Sequence, residues 1–203
     1  MIAIIDYGVG NLFSLRSSLD YLKLESILTN KESEIVKADH ILLPGVGAFA
    51  DAAQKLKDAG LSEILCQQAE HGKPLLGICL GMQLLFERSF EFGTHQGLGL
   101  IKGEVSPLRP VVSADLKIPH IGWNRLDKKK EHALLKYSKK DDCVYYVHSF
   151  YATGCEDSTV AVSEYQIEIP GVVAQENVCG TQFHPEKSGE AGLRILQAFA
   201  ELS

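Results

Sequence analysis

At 203 residues, with 45% hydrophobic and 23% charged side chains, the chain has the length and balance of one globular domain with a sizeable core. Its formal net charge of −6 argues against a nucleic-acid surface, and the short basic run Lys128-Lys129-Lys130 reads as a solvated turn. No apolar stretch of about 18 residues offers a transmembrane helix, and Met1 leads straight into Ile2-Ala3-Ile4-Ile5 without a basic leader, so neither a membrane span nor a signal peptide is expected. Cys66, Cys79, Cys143, Cys155 and Cys179 form an odd set with no C-x-x-C or H-x-x-x-H spacing. That pattern indicates neither a disulfide framework nor a zinc site, so no metal or cofactor is expected and a reducing cytoplasm is the natural setting.

In chain order, Ile2 to Ile5 reads as a buried strand, and Leu12, Leu15, Leu19 and Leu22 then step at helical spacing. Glu25 to Thr29 is a short second strand. His40 to Leu43 is a third, running into Pro44-Gly45-Val46-Gly47-Ala48. Ala52 and Leu56, then Leu61, Ile64 and Leu65, predict helical segments broken near Gly60. Pro74 to Cys79 is an apolar run meeting a helical pattern over Leu80 to Glu87, with Leu84, Leu85 and Phe86 in that helix. From Leu98 the texture changes to short strands: Ile101 to Val105, Ile118 to Trp123, Cys143 to His148, Thr159 to Tyr165, Val172 to Gln175 and Val178 to Phe183. Leu193, Leu196 and Ala200 lie on one face of a closing helix. Strands alternating with helices imply an α/β fold, a three-layer open, mostly parallel twisted sheet with helices on both faces and added antiparallel strands. No linker or repeat interrupts residues 1–203, which read as a single domain.

Chemistry concentrates at Gly77-Ile78-Cys79-Leu80-Gly81. A lone cysteine between two glycines, where strand becomes helix, has the form of a nucleophile elbow; glycine removes the Cβ clashes of so sharp a turn. The helix that follows favours thiolate over thiol. A thiol nucleophile needs a base, and the base an orienting carboxylate. His184-Pro185-Glu186 supplies both: in an extended segment His184 and Glu186 face one side, and the preceding strand delivers His184 at its end. Acyl transfer also needs N–H donors for the developing oxyanion. Leu80, directly after the nucleophile, supplies one, and the glycine-rich loop Gly45, Val46, Gly47 the second.

Asp6-Tyr7-Gly8-Val9-Gly10-Asn11-Leu12, Pro44-Gly45-Val46-Gly47-Ala48-Phe49, Gly77-Ile78-Cys79-Leu80-Gly81-Met82-Gln83, Pro119-His120-Ile121-Gly122-Trp123-Asn124, Tyr146-Val147-His148-Ser149-Phe150 and Gln182-Phe183-His184-Pro185-Glu186-Lys187-Ser188 together give the chain its signature. In this order it resembles the class I (triad) glutamine amidotransferases and, within them, the glutaminase subunits of imidazole glycerol phosphate synthases, over essentially its whole length. The resemblance implies the fold of that family and hydrolysis of the glutamine side-chain amide through a thioester on Cys79. It also implies that Gln83 and the Ser149-Phe150 backbone hold the amino-acid end of glutamine. Ammonia released into water is lost by protonation, and the chain has no room for an acceptor domain. The resemblance supplies one as a separate (β/α)8-barrel cyclase subunit of about 250 residues. With it the ammonia yields imidazole glycerol phosphate and an aminoimidazole carboxamide ribotide, a step of histidine biosynthesis.

Asn11, His120, Trp123 and Lys187 are the expected interface residues. Glutaminase activity is expected to be low in the chain alone and raised by the liganded partner, with Val46, β-branched between two glycines, holding its peptide turned away from the oxyanion. The alternatives are a glutaminase serving another synthase, such as that for pyridoxal phosphate, a stand-alone cysteine hydrolase or peptidase, and a non-catalytic subunit that kept the scaffold.

Overall fold

Ile2-Ala3-Ile4-Ile5 is apolar at every position because β1 (Ile2–Ile5) is covered on both faces. The structure, a computed structural model, describes residues 1–202. After β1 come α1 (Leu12–Tyr21), β2 (Ser26–Thr29), α2 (Glu32–Lys37), β3 (His40–Gly45), α3 (Phe49–Asp58), α4 (Leu61–Glu70), β4 (Leu75–Cys79) and α5 (Leu80–Leu84). The second half contributes β5 (Phe86–Ser89), β6 (His95–Gln96), β7 (Ile101–Pro107), β8 (His120–Arg125), β9 (Asp127–Lys128), β10 (Cys143–His148), β11 (Phe150–Thr153), β12 (Thr159–Tyr165), β13 (Ile167–Gln175), β14 (Val178–Thr181) and α6 (Gly189–Phe199).

One eight-stranded sheet runs β2-β1-β3-β4-β14-β13-β12-β9. Its β2, β1, β3, β4 and β14 are parallel, and β13, β12 and β9 extend it antiparallel. Two apolar clusters lie on its two faces. Leu15 and Leu19 of α1 and Ile195, Leu196 and Phe199 of α6 pack with Ile4, Leu42 and Leu76. Phe49, Ala52 and Leu56 of α3 and Leu61 and Leu65 of α4 pack with Ile5, Ile41, Leu43 and Leu75. Neighbouring strand residues thus point to opposite layers, and the expected three-layer α/β architecture is what forms. Two smaller sheets, β10-β8 and β11-β7-β5-β6, complete the fold, and Val147, His148 and Phe150 from them line a cleft with Val46, Gly47 and Cys79.

The helix after the elbow is shorter than its pattern predicts. It stops at Leu84, and Phe86 lies in β5, paired with β7. The Leu84 carbonyl accepts from Leu98 N–H, and the Leu85 carbonyl from Leu100 and Ile101, so tertiary partners replace the helical ones. β14 likewise ends at Thr181, short of Phe183.

Candidate active site

Cys79 ends β4 and caps α5 with φ +55° and ψ −111°, a conformation L-residues hold only when their surroundings impose it. The imposing contacts are the two glycines. A Cβ on Gly81 would collide with the Leu43 carbonyl oxygen, and one on Gly77 would come 2.6 Å from the Gly81 carbonyl oxygen. Parallel pairing places Gly45 opposite Cys79, so the end of β3 lies directly beside the nucleophile.

His184 arrives three residues after β14 and is fixed from two sides. Its N–H donates to the Tyr145 carbonyl at 3.0 Å, and its carbonyl accepts from the Ser188 hydroxyl at 2.6 Å. That hydroxyl also accepts from Tyr145 N–H at 2.9 Å, locking the segment onto β10. Pro185–Lys187 is a single 3-10 turn, not the extended segment expected. The turn still returns Glu186 to the ring, with Oε1 2.8 Å from His184 Nδ1 and both side chains buried. A carboxylate on Nδ1 puts the proton there and leaves the buried Nε2 to serve as base toward Cys79.

Burial pulls the His184 imidazole down, but its interactions with Cys79 and Glu186 outweigh that and raise it to about 10. Burial pushes the thiols of Cys155 and Cys179 up, the latter to about 12, which leaves them inert. The raised imidazole carries a stability signature. An imidazole whose folded pKa exceeds its unfolded value of about 6.5 stabilises fully below that value and loses the contribution as pH climbs through the folded pKa. We predict that the urea midpoint of the wild type falls relative to His184→Gln between about pH 8.5 and 10, where the coupled Cys79–His184 pair loses the proton that the unfolded chain has already lost. A difference that stays constant across that range contradicts the ion-pair geometry.

Val46, Gly47, Cys79, Leu80, Gln83, Ser149, Phe150, His184 and Lys187 line one cleft of about 510 Å³, so most of the predicted residues converge. Gly45 does not. It is buried at the end of β3, where a Cβ would meet Gly81 N at 2.7 Å and the Tyr7 hydroxyl at 2.9 Å, so its role is close packing, and Val46, Gly47 and Leu80 are left as candidate oxyanion donors. Gln83 faces inward and donates to the Phe150 carbonyl at 3.0 Å and to Gln182 Oε1 at 3.1 Å. His120 is fully buried, which corrects its assignment to an interface: no part of its side chain is free to meet another protein. Trp123 is 56% exposed with its edge toward Tyr145, and Asn11 precedes α1 and is partly exposed.

Three residues of the site carried no assigned role in the sequence reading. Gln182 Nε2 lies 3.9 Å from Cys79 Sγ, and His148 joins the cleft wall beside it. Glu91 reaches the cleft from beyond β5 and accepts from Phe49 N–H at 2.6 Å, pinning the start of α3 just after the glycine loop. Gln182 and His148 stood inside quoted motifs. Glu91 had no sequence signal, because β5, which delivers it, was itself unseen. The Phe150 carbonyl is already used by Gln83 and His148, and that of Ser149 by Leu108 N–H. Among these groups Glu91 is therefore the one fitted to take an ammonium group of a bound amino acid.

The family model for class-I glutamine amidotransferases matches residues 3–202. The imidazole glycerol phosphate synthase subunit HisH of Caldanaerobacter subterraneus subsp. tengcongensis is 51% identical over 203 residues, covering 100% of this chain and 98% of its own. The HisH subunit of Bacillus cereus strain G9842 is 49% identical over 199 residues, 98% of this chain and 93% of its own. Among solved structures, a glutamine amidotransferase superposes with TM-score 0.76 at 16% identity, over 98% of this chain and 99% of that one. PurLQS from Thermotoga maritima gives 0.75 at 20% identity, over 98% and 96%. At such identities the structures speak for the fold alone.

Proposed function

This chain belongs to the class-I glutamine amidotransferase family, and from that premise we propose that it is the glutaminase subunit of an imidazole glycerol phosphate synthase, acting in histidine biosynthesis. The carrying observation is full-length identity near 50% to subunits of that synthase in a chain whose Cys79 and His184 line one cleft, with the Glu186 carboxylate on the His184 ring.

In the proposed reaction the Cys79 thiolate attacks the glutamine carboxamide carbon, and the carbonyl electron pair moves onto oxygen. Leu80 N–H and a peptide N–H of the Val46-Gly47 loop receive that oxyanion. Collapse re-forms the carbonyl and breaks the C–N bond as His184 gives its proton to the departing ammonia. A water, losing its proton to His184, then attacks the thioester and releases glutamate and the Cys79 thiolate. Glu186 keeps the ring oriented throughout. Glu91 and the Ser149-Phe150 segment hold the amino-acid end, with Gln83 supporting the latter from within the core. The ammonia passes to a separate (β/α)8-barrel cyclase subunit, with Asn11, Trp123 and Lys187 on the contact face.

Active-site labelling tests this reading. A chloroketone analogue of glutamine should form one adduct, on Cys79, and excess glutamine should prevent it. Labelling only at the exposed Cys143 contradicts it. The oxyanion loop gives a second check. Val46 is accessible at the cleft rim beside Gly47, which has φ +99°. Removing its β-branch frees the peptide to turn its N–H inward. We expect Val46→Gly to raise partner-free glutamine turnover about fivefold, equivalent to ~1 kcal/mol. Unchanged turnover would remove Val46 as the restraint.

A further inference from the structure

His120 opens β8 and His148 ends β10, directly opposite each other in the antiparallel register of that sheet. Both rings are buried, and His120 is stacked between Tyr146 and Tyr165, with ring centroids 4.9 and 3.8 Å away. The ring nitrogens form one chain. His148 Nδ1 lies 2.9 Å from the Phe150 carbonyl, His148 Nε2 lies 2.9 Å from His120 Nδ1, and His120 Nε2 lies 2.9 Å from the Asn124 side-chain amide. The contact is with the amide oxygen, and the amide nitrogen donates to the Glu164 carbonyl at 2.9 Å. The inner end of the chain is the glutamine cleft, where the Phe150 carbonyl also accepts from Gln83.

Counting protons fixes the order of donors. The Phe150 carbonyl can only accept, so His148 Nδ1 carries a proton. A neutral imidazole has one N–H, so His148 Nε2 accepts, and its donor is His120 Nδ1–H. His120 Nε2 is then left without a proton opposite the Asn124 side-chain oxygen, because the Asn124 NH₂ is held by the Glu164 carbonyl, so the one unmet contact falls at the partly exposed end of the chain. Filling that contact as well would need three protons on two rings. That would be a buried cation with no carboxylate acting on it. Burial opposes this for both rings, and for His148 the neighbouring His120 and His184 oppose it further.

We propose that His120 and His148 are positioning residues for the glutamine cleft, a neutral pair with each ring protonated on Nδ1 that holds the Phe150 carbonyl, and with it the Ser149-Phe150 backbone, from behind. His120 does not line the cleft and acts only through His148. The kinetic consequence rests on the glutaminase reading; the protonation pattern does not.

Two measurements test the pair. In the full-length chain with ¹⁵N-labelled histidine near neutral pH, long-range ¹H–¹⁵N spectra should show His120 and His148 protonated on Nδ1 alone. A proton on His148 Nε2, or a doubly protonated ring in the pair, overturns the proposal. In the complex with the cyclase subunit and its nucleotide ligand, His120→Phe keeps the stacking but loses the donor. Its glutamine KM should rise about tenfold, the scale of one lost hydrogen bond, with kcat changed less than about threefold. His120→Asn, whose amide can replace the Nδ1 donor, should recover most of the loss. An unchanged KM in a folded His120→Phe protein overturns the positioning role. The spectrum judges the pair whether or not the chain turns over glutamine, so a failed glutaminase reading and a failed pair give different results.

Discussion

Cys79→Ala is expected to lower glutamine hydrolysis by about 10⁴-fold or more while leaving synthesis from added ammonia by the assembled enzyme unchanged. Every covalent step proposed above passes through that sulfur, and removing one member of a triad leaves little beyond binding and oxyanion stabilisation. The substitution is also structurally mild. Cys79 is held in its strained turn by Gly77, Gly81 and β3, and deleting one sulfur atom disturbs none of those contacts. The ammonia-dependent reaction belongs to the partner and bypasses the cleft, so it separates lost chemistry from lost assembly. Loss of both activities would indicate a failure to fold or pair. Retention of glutamine-dependent synthesis would exclude Cys79 as nucleophile. Cys143→Ser, at an exposed position outside the cleft, should change neither.

Gly81→Ala is expected to have the largest effect on stability. The added methyl points into the Leu43 carbonyl, which is backbone of β3 at the centre of the main sheet and has no room to move. Overpacking of this kind costs about 3 kcal/mol, and for a chain of this size that lowers Tm by roughly 6–12 °C. Either the elbow opens or β3 shifts, and both displace Leu80 N–H from the loop at Val46 and Gly47. Glutaminase activity should therefore fall even where the protein remains folded. Thermal melts of the variant check the first part, and a Tm within about 2 °C of wild type contradicts the close approach of α5 to β3.

The parallel half of the fold was legible because its strands are continuous apolar runs and its helices show a 3.6-residue period. Ile2 to Ile5, Leu15 with Leu19, and the break at Gly60 all lie where the pattern placed them. The elbow was legible for a different reason: only glycine tolerates its contacts, so the chemistry leaves a trace in the sequence. Phe86 was misread because its burial looks the same in helix and strand, and what decides is a hydrogen-bond exchange with Leu98 to Ile101. Glu91 and Gln182 were missed because a carboxylate or amide reaching a cleft from a loop has no periodicity. His120 looked like an interface residue, as Trp123 did, yet the two stand an odd number of positions apart on β8 and point to opposite faces, and the stacking rings of Tyr146 and Tyr165 bury His120.

The most direct test is glutamate release from glutamine, measured for this chain alone and then with a cyclase subunit and its nucleotide ligand. We predict weak hydrolysis by the chain alone and a large rise in the liganded complex, both lost in Cys79→Ala. High activity alone that ignores the partner would leave a cysteine hydrolase but contradict its assignment to the synthase.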